Sequence, residues 1–316
     1  MLEVVQASND PFFNIAAEDF LLHERDEDFL ILSINEPSVI IGKHQVAHME
    51  VNARLVAEDG IPVIRRISGG GTVYHDSGNL NFAFIRQSEK GKQVDFRYYT
   101  KPVIEFLATL GLTAVFEGKN DLTVDGLKIS GNAEHVFRER VLHHGTLLFD
   151  ASMGKMKRYL KPDTGKYTTR GVPSNRTSVT NLKGRIRGID TMEQFTEAMI
   201  RYFRNSIPGL QTFSFSTEET EKIRKLSETR YKSWEWNWGY GPPYEFTAIL
   251  GLSGKSHRCR FLVKDGIIWE SDITGSDELR SVAKNLIGCR HMHQDILTLL
   301  RDQNIQVSDE EVYCFF

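Results

Sequence analysis

The sequence predicts an α+β protein, with a large domain of mixed β-sheets and flanking helices followed by a small α+β domain. Two patterns predict this class. Short apolar or alternating runs, typical of strands, are interspersed with segments of helical periodicity, and Gly-Pro-Pro at 241–243 interrupts regular structure before a second such set. Because 316 residues suffice for two unequal domains, we expect a large domain over 1–241 and a small domain over 242–316.

The individual elements follow from these runs in chain order. NIAAEDFLLHER at 14–25 has apolar residues at helical spacing and predicts an amphipathic helix. Short strands are predicted at 29–34, 38–42, 62–67, 71–75 and 79–85, and helices at 95–112, 191–205 and 218–231. The C-terminal region adds strands within 245–252 and 258–273 and helices at 277–288 and 293–302. This mixture supports α+β architecture.

Composition excludes several classes of protein. With 39 basic and 42 acidic residues, the net charge is −3, so no global field recruits nucleic acid. The N-terminus lacks a basic segment followed by an apolar core, and the longest apolar runs are too short to span a bilayer. We therefore expect a cytoplasmic protein, without nucleic-acid or membrane partners, that recognises its partner locally.

The cysteines indicate neither a metal site nor a disulfide framework. Cys259, Cys289 and Cys314 are widely spaced, with no CxxC pair and no histidine at metal-like spacing. Reduced thiols are the simplest interpretation.

The most demanding stretch of the sequence is RRISGGGTVYHDSGNLNF at 65–82. Glycine reaches backbone angles closed to other residues and lets a ligand touch the main chain, so three in succession indicate a turn or a close contact. The adjacent arginines add charge that a turn does not require. We interpret HDSGN at 75–79 as a turn in which Asp76 bonds its own backbone, in preference to a general base at His75 or Asp76.

A second informative stretch is DLTVDGLKISG at 121–131. Asp125-Gly126 between alternating runs predicts a two-residue hairpin turn. The resulting register pairs Val124 with Leu127, Thr123 with Lys128, Leu122 with Ile129 and Asp121 with Ser130. Lys128 and Asp121 then become diagonal neighbours roughly 7 to 8 Å apart, near enough to share one phosphate or metal ion. A solvated hairpin face without function is the alternative.

His143 and His144 resemble a ligand pair, but neighbouring residues on a strand point to opposite faces of the sheet. They cannot chelate one ion together. We expect at least one of them to be structural.

Several stretches together resemble the lipoate-protein ligase A family, of the biotin/lipoate protein ligase superfamily. They are RRISGGGTVYHDSGN, then KND and LKISGNA, then HHGTLLF, then RGVPSNRTSVTNL, in this order. The resemblance runs from about residue 10 to about residue 240, and the small C-terminal domain fits the family's two-domain form. A lone triple glycine is weak evidence, whereas matched blocks in order are specific.

The resemblance implies a two-step acyl transfer. Lipoate and MgATP give lipoyl-AMP and pyrophosphate, and the acyl group then passes to a lysine of a lipoyl-accepting domain, in E2 subunits or the glycine cleavage H protein. The cofactors implied are ATP and Mg²⁺, and a monomer is expected. Fixed cations suit this chemistry, because a carboxylate must approach the anionic α-phosphate.

The resemblance also implies roles for individual residues. Lys128 would be catalytic, contacting both the lipoate carboxylate and the α-phosphate, while Asp121 would help to hold Mg²⁺, an assignment that rests on the hairpin register. The implied nucleotide or adenylate contacts are Arg66, Gly71, Thr72, Val73, Tyr74, Asn120, Asp121, Lys128, Val179 and Asn181. The implied lipoate contacts are Arg65, Ser68, Gly69, Gly70, Gly71, Lys128, Ser130, Ser33 and His144.

Other stretches match the family with departures. Residues 170–182 match its adenylate-binding loop, whose composition suits a mobile cover. The dithiolane tail needs an apolar slot, and the resemblance places one wall at residues 31–34. There Ser33 stands where a bulky aromatic residue occurs in the family, which predicts a roomier pocket. Val46 replaces a frequent asparagine in IGKHQVAH.

Rival functions remain open at the level of sequence. Related octanoyl transferases share the fold, but several use a cysteine acyl-enzyme, and all three cysteines here lie beyond residue 258. The closer rival is a lipoyltransferase that takes preformed lipoyl-AMP or a lipoyl-protein donor. A non-catalytic lipoate-binding protein is a third alternative, which the intact Lys128, Arg66 and glycine loop disfavour.

Overall fold

Three β-sheets organise the chain in the computed structural model, which describes residues 1–88, 91, 94–160, 164–174, 177–252 and 255–316. The strands are β1 (Leu2–Val5), β2 (Phe29–Ile34), β3 (Ser38–Ile41), β4 (Val63–Arg65), β5 (Val73–His75), β6 (Asn79–Gln87), β7 (Ala114–Glu117), β8 (Asp121–Val124), β9 (Leu127–Phe137), β10 (Arg140–Leu148), β11 (Tyr167–Thr169), β12 (Gln211–Thr212), β13 (Tyr244–Leu252), β14 (Lys255–Lys264) and β15 (Ile267–Ile273). The predicted α+β class is confirmed.

Helices lie between these strands and begin at recognisable caps. They are α1 (Pro11–Glu24), α2 (Ala47–Glu50), α3 (Ala53–Glu58), α4 (Phe96–Thr109), α5 (Met153–Tyr159), α6 (Met192–Ser206), α7 (Thr217–Leu226), α8 (Asp277–Leu286), α9 (His293–Asp302) and α10 (Asp309–Val312). The carboxylate of Asp10 caps α1 by accepting from the amide of Phe12, with Pro11 in the first turn. Thr191 and Gln194 form a capping box at the start of α6. Two π-helical turns follow α7, at Ser227–Tyr231 and Glu235–Gly239.

The largest sheet has strand order β12-β1-β2-β6-β10-β9-β8-β7 and is buried on both faces. Leu30, Leu32, Leu80, Phe82 and Phe84 point to the face covered by α4 and α6. The alternate residues, including Ile31, Ala83 and Ile85, point to the face covered by α1. The period of two along each strand therefore supplies two cores from one sheet.

A small sheet with order β4-β3-β5 packs over the α1 face of the large sheet. Val39, Ile41 and Tyr74 face outward against α2, α3 and α5, while Ile40 and Ile64 face the large sheet. The space enclosed between the two sheets and α1 holds the candidate site.

The C-terminal region forms a third, antiparallel sheet with order β11-β13-β14-β15, packed against α8, α9 and α10. Its edge strand β11 comes from residues 167–169, and its core includes Val46 and Met49. The predicted boundary near Gly241 matches the start of β13, but the core on its far side is completed by residues from before the boundary. An independently folding unit over 242–316 stays a prediction.

The β8–β9 hairpin agrees with expectation at its turn and differs from it in its register. The turn at Asp125 and Gly126 has positive φ angles of 52° and 72°, as predicted. The pairs next to it are also right, but the register shifts after Thr123, so that Leu122 faces Ser130 and Asp121 faces Gly131. The predicted pairs Leu122–Ile129 and Asp121–Ser130 are therefore wrong, because Ile129 is an extra residue in a β-bulge.

The described helices also bear on membrane association. Over the described ranges, no helix is both long and apolar enough to cross a bilayer.

Candidate functional site

A cavity of about 130 Å³ lies between the large sheet, the small sheet and α1. From α1 it is lined by Asn14, Ile15 and Glu18, which are spaced for one helical face. The other lining residues are Ser33, Asn35, Ile40, Arg66, Gly71, Thr72, Val73, His75, Asn81, Asn120, Asp121, Lys128, Gly131, Asn132, Ala133, His144, Gly145, Thr146 and Ser174. The glycine stretch and the β8–β9 hairpin, far apart in sequence, are thus brought together.

One row of residues crosses five strands of the large sheet along the cavity floor. Ser33 of β2 pairs with Asn81 of β6, and Asn81 pairs with Thr146 of β10. The hydroxyl of Thr146 accepts from the amide of Gly131 in β9 (3.4 Å), and Gly131 pairs with Asp121 of β8. Paired residues share a face of the sheet, so the row forms a continuous floor from Asp121 to Ser33.

Lys128 lies at the β8–β9 end of this floor. Its ammonium is 2.7 Å from Oδ1 of Asp121. A Cβ on Gly131 would lie 3.2 Å from that ammonium, so the missing side chain leaves room for the lysine. The strand-like segment at Ser178 and Thr180 fixes the backbone of Lys128 through two hydrogen bonds of 2.9 Å. Thr123 pairs with Lys128, and Asp121 lies two residues before Thr123, so Asp121 and Lys128 are diagonal neighbours whose side chains meet in a direct ion pair.

Arg66, which lines the same cavity, holds the glycine loop in shape. Its guanidinium is buried and donates to the carbonyl oxygens of Gly69 (2.5 Å) and Gly71 (2.7 Å) and to the hydroxyl of Ser68 (3.0 Å). Burial lowers its pKa to about 10. Gly70 adopts a φ of 85°, which only glycine takes without strain.

A hydrogen-bonded chain connects α1 to this loop. The carboxylate of Glu18 accepts from Nδ1 of His144 (2.7 Å), and Nε2 of His144 lies 2.6 Å from the hydroxyl of Ser68. Ser68 is fully buried, so its hydroxyl orients Arg66 and is not an exposed nucleophile. The neighbouring His143 points to the opposite face, where it is buried. Its ring stacks on that of Tyr99, and its Nδ1 is hydrogen-bonded to the carboxylate of Glu134. The two histidines are divided between faces as predicted.

Ser174, from the described part of the 170–182 stretch, lines the cavity and contacts the glycine loop. The hydroxyl of Ser174 accepts from the amide of Thr72 (2.8 Å) and from Nε2 of Gln45 (3.1 Å) and donates to the carboxylate of Glu50. Residues 175 and 176 of the predicted adenylate-binding loop lie outside the described residues.

The cavity end farthest from Lys128 is polar. Nδ2 of Asn14 donates to Oδ1 of Asn35 (2.8 Å), and Nδ2 of Asn35 donates to Nδ1 of His75 (3.0 Å). Burial lowers the pKa of His75 to about 3, so the ring is neutral and its proton is on Nε2. The slot expected around residues 31–34 is thus bounded by Ser33 and these amides, while Ile15, Ile40 and Val73 supply apolar parts of the cavity wall.

Arg65 does not line the cavity, which overturns its predicted contact with lipoate. Its fully buried guanidinium donates to the backbone oxygens of Gly42 (3.0 Å), Lys43 (3.1 Å), Gln45 (2.7 Å), Trp236 (3.0 Å) and Asn237 (3.0 Å). Arg65 and Arg66 are consecutive and point to opposite sides, so only one of them reaches the site. Arg65 is a structural residue.

The other predicted site residues fall into two groups, those that line the cavity and those that do not. Those that line it are Ser33, Arg66, Gly71, Thr72, Val73, Asn120, Asp121, Lys128 and His144. Those set back from it are Ser68, Gly69, Gly70, Tyr74, Ser130, Val179 and Asn181. The side chain of Asn181 is occupied by both backbone groups of Ala151, at 3.1 and 2.9 Å, so an adenylate contact through that amide does not fit.

Several lining residues were missed by sequence reasoning. Asn14, Ile15 and Glu18 have the spacing of one helical face, which is a usable signal. Asn35 and Asn81 carried no such signal, and His75 was considered as a general base but interpreted as part of the HDSGN turn. That turn is present, since Oδ1 of Asp76 accepts from the amide of Gly78 (3.0 Å).

The metal-binding capacity of the site is limited to isolated carboxylates. Within the described parts of the chain, no group of three or more histidine, cysteine or acidic residues could hold a metal ion by itself. Asp121 supplies one carboxylate next to the cavity. Mg²⁺ is commonly held by one or two carboxylates together with substrate phosphates, so one acidic residue here fits that mode.

Comparison with known proteins identifies the family. The family model described as the lipoyl protein ligase A/B catalytic domain matches residues 10–204. The lipoate-protein ligase LplJ of Bacillus subtilis is 34% identical over 309 residues, covering 95% of this chain and 93% of that protein.

Solved structures agree with this match. A lipoate-protein ligase A bound with ATP superposes with a TM-score of 0.64 at 25% identity, covering 76% of this chain and 98% of that one. A bi-partite lipoate protein ligase of Thermoplasma acidophilum, studied with its E2 lipoyl domain, has a TM-score of 0.64 at 26% identity, covering 76% of this chain and 96% of that one. The chain belongs to the lipoyl protein ligase A/B family.

Proposed function

We propose that the protein is an ATP-dependent lipoate-protein ligase, which activates lipoate as lipoyl-AMP and transfers the lipoyl group to a lysine of an acceptor domain. The observation that carries this is the position of Lys128. Its ammonium pairs with Asp121 at one end of the cavity floor, in the same cavity that the glycine loop lines. This is where a carboxylate and a phosphate must be brought together, and the related proteins are lipoate-protein ligases.

The cavity offers two arms from that point. The floor running through Thr146 and Asn81 to Ser33 is narrow and suits an extended acyl chain. The backbone of Gly71 and Thr72 with the Asn120 amide lies on the other side and suits the nucleotide phosphates. Lys128 stands between them and can contact both anions.

In the first step, a carboxylate oxygen of lipoate attacks the α-phosphorus of ATP. The bond between that phosphorus and the pyrophosphate oxygen breaks, and pyrophosphate leaves with the electron pair. Lys128 lowers the repulsion between the carboxylate and the α-phosphate and stabilises the charge that develops on the phosphoryl oxygens. Asp121 must then share or release the lysine, because its carboxylate is the ammonium's partner at 2.7 Å.

In the second step, the amine of an acceptor lysine attacks the acyl carbon of lipoyl-AMP. An amide forms, the carbon–oxygen bond to AMP breaks, and the attacking nitrogen loses a proton. Ser174 contacts the glycine loop through the amide of Thr72, and this contact would limit access of water to the mixed anhydride.

Mg²⁺ would neutralise charge on the ATP phosphates when bound. Asp121 is the residue proposed to contribute to holding it. Proposed acceptors are lipoyl domains of E2 subunits and the glycine cleavage H protein, by analogy with the T. acidophilum ligase that was described with its E2 lipoyl domain.

Lipoate-dependent exchange of labelled pyrophosphate into ATP tests this proposal without any acceptor domain. We expect exchange that requires both lipoate and the metal. A folded protein that binds lipoyl-AMP but gives no exchange would instead be a transferase that receives a preformed donor.

Lys128→Leu tests the residue that carries the proposal. We expect exchange to fall at least about a hundredfold, the scale seen when one charge-stabilising group is removed, with unfolding temperature little changed. Lys157→Leu, at an exposed position of α5 away from the cavity, is the matched control and should keep exchange. Substantial exchange by Lys128→Leu would refute the assigned role.

A further inference from the structure

The far end of the acyl pocket has the wrong chemistry for a plain alkyl tail. Ser33, Asn81 and His75 line it, and each is less than 9% exposed: 6%, 6% and 7% respectively. A buried alkyl chain would face these polar groups and satisfy none of them.

Hydrogen-bonding capacity is left over at this end. The hydroxyl of Ser33 has no hydrogen bond to any described residue, and neither Nδ2 of Asn81 nor Nε2 of His75 has a described partner. Oδ1 of Asn81 is used by Nδ2 of Asn79 (2.7 Å), and Nδ1 of His75 is used by Asn35 (3.0 Å). What remains is one hydroxyl and two N–H donors.

The distance from Lys128 matches the end of an eight-carbon chain. The ammonium lies beside Gly131 of β9, and Asn81 lies on β6, two strands away. Two strand spacings are about 10 Å, roughly the length of an extended eight-carbon acyl chain. Ser33 on β2 lies one strand farther. A carboxylate at Lys128 therefore places the last carbons of such a chain over Asn81 and Ser33.

We propose that Ser33, Asn81 and His75 form a hydrogen-bonding subsite that selects eight-carbon acids with an acceptor atom near the chain end over unsubstituted octanoate. This rests on the proposed function. The dithiolane sulfurs are weak acceptors and a terminal hydroxyl is a stronger one. A site built to hydrogen-bond a substrate discriminates against an analogue that lacks the partner, because its own buried donors then stay unpaired.

Three acids separate this subsite from an ordinary apolar pocket: octanoate, 8-hydroxyoctanoate and lipoate. We expect kcat/KM for 8-hydroxyoctanoate in pyrophosphate exchange to exceed that for octanoate by about fivefold, the effect of one net hydrogen bond. An apolar pocket gives the opposite order, since it must bury the hydroxyl unpaired.

Two variants assign the effect to the subsite. Ser33→Ala and Asn81→Leu should each lower the ratio of 8-hydroxyoctanoate to octanoate to about one or below. Ser33→Ala breaks no hydrogen bond with described residues and so should fold normally, whereas Asn81→Leu also removes the acceptor of Asn79. Ser206→Ala, at an exposed position at the end of α6, is the matched control and should keep the wild-type ratio.

Binding of the same acids, measured calorimetrically without ATP, separates this proposal from the proposed function. If no acid supports exchange but 8-hydroxyoctanoate binds more tightly than octanoate, the proposed ligase activity is contradicted and the proposed subsite is supported. If wild type prefers octanoate in binding and exchange, or if both variants keep the wild-type ratio, the subsite is refuted.

Discussion

Arg65 and Arg66 are adjacent, yet their guanidinium groups do different work. Arg66 faces the cavity and binds carbonyls of the glycine loop. Arg65 is fully buried behind that loop, and its partners are backbone oxygens from two separate segments, 42–45 and 236–237. Burial lowers its pKa to about 10, so it remains charged at neutral pH. Its role is to tie the loop before α2 to the second π-helical turn.

Arg65→Met should therefore lower stability and leave acyl recognition intact. Removing the buried cation leaves several carbonyl oxygens without a hydrogen-bond donor. We therefore expect a loss of about 3–5 kcal/mol in the free energy of unfolding, measured with urea. The KM for lipoate of the folded enzyme should change less than about twofold. Arg224→Met, at an exposed ion pair on α7, should cost less than about 1 kcal/mol. A stable Arg65→Met protein with a sharply raised KM would restore the acyl-contact role.

At the level of elements, long periodic segments were predictable and short ones were not. α4, α6, α8 and α9 each have ten or more residues and an apolar face, and all were predicted. α1 was predicted as an amphipathic helix, but its buried residues include 14–17 and 19–22 and so lie on every side of the helix. α2, α3, α5 and α10, of four to seven residues, are too short for periodicity to register. The edge strands β11 and β12 owe their existence to partners distant in sequence, which no local pattern contains.

The hairpin shows how local and non-local information divide within one element. Asp125-Gly126 predicted the turn, because its two positive φ angles are intrinsic to those residues. The bulge at Ile129 could not be predicted, since the alternation of apolar residues continues past it. Sequence reasoning brought Lys128 and Asp121 into one neighbourhood. Their side chains meet there in a 2.7 Å ion pair, while the bulge changes the partners of Leu122 and Asp121 on β9.

Close approach of two loops makes Gly42 as restrictive as the triple glycine. A Cβ at this position would lie 2.1 Å from the carbonyl oxygen of Gly70. Gly42→Ala must push the glycine loop away, and we expect about 2–3 kcal/mol of destabilisation and a fall of at least about tenfold in kcat/KM for ATP. Unfolding and exchange assays measure the two effects. Gly251→Ala, in β13 with no atom within 4 Å of the added carbon, is the control. Wild-type exchange in Gly42→Ala would contradict the packing.

For the whole molecule, the sequence located the start of the C-terminal sheet but not how it is completed. Gly-Pro-Pro marks the chain's entry into β13, as predicted. The same core nevertheless takes in Val46, Met49 and Tyr167 from the large region. Those residues looked like ordinary buried positions in sequence, because nothing local states which core a side chain enters.

Two buried histidines lie in this junction and predict its response to acid. Nε2 of His48, on α2, donates to the carbonyl of His291 (2.8 Å), and Nδ1 of His291 lies 2.7 Å from the hydroxyl of Tyr244. Burial lowers the pKa of His48 to about 4, and it lowers that of His291 well below its ordinary value. As pH falls from about 6.5 toward 4, these histidines bind protons in the unfolded chain but stay neutral in the folded junction. Stability present at neutral pH is therefore lost over that window.

His48→Gln keeps an N–H donor for the His291 carbonyl but removes the titrating ring. Wild type should lose about 2 kcal/mol more unfolding free energy than His48→Gln between pH 7 and pH 5, because one histidine with a pKa of about 4 accounts for a difference of that size. Urea unfolding at the two pH values measures it, and His44→Gln, at an exposed position, should lose as much as wild type. An equal loss in His48→Gln and wild type would mean that this histidine gains its proton without leaving the junction, so that the contact between α2 and the C-terminal sheet withstands acid.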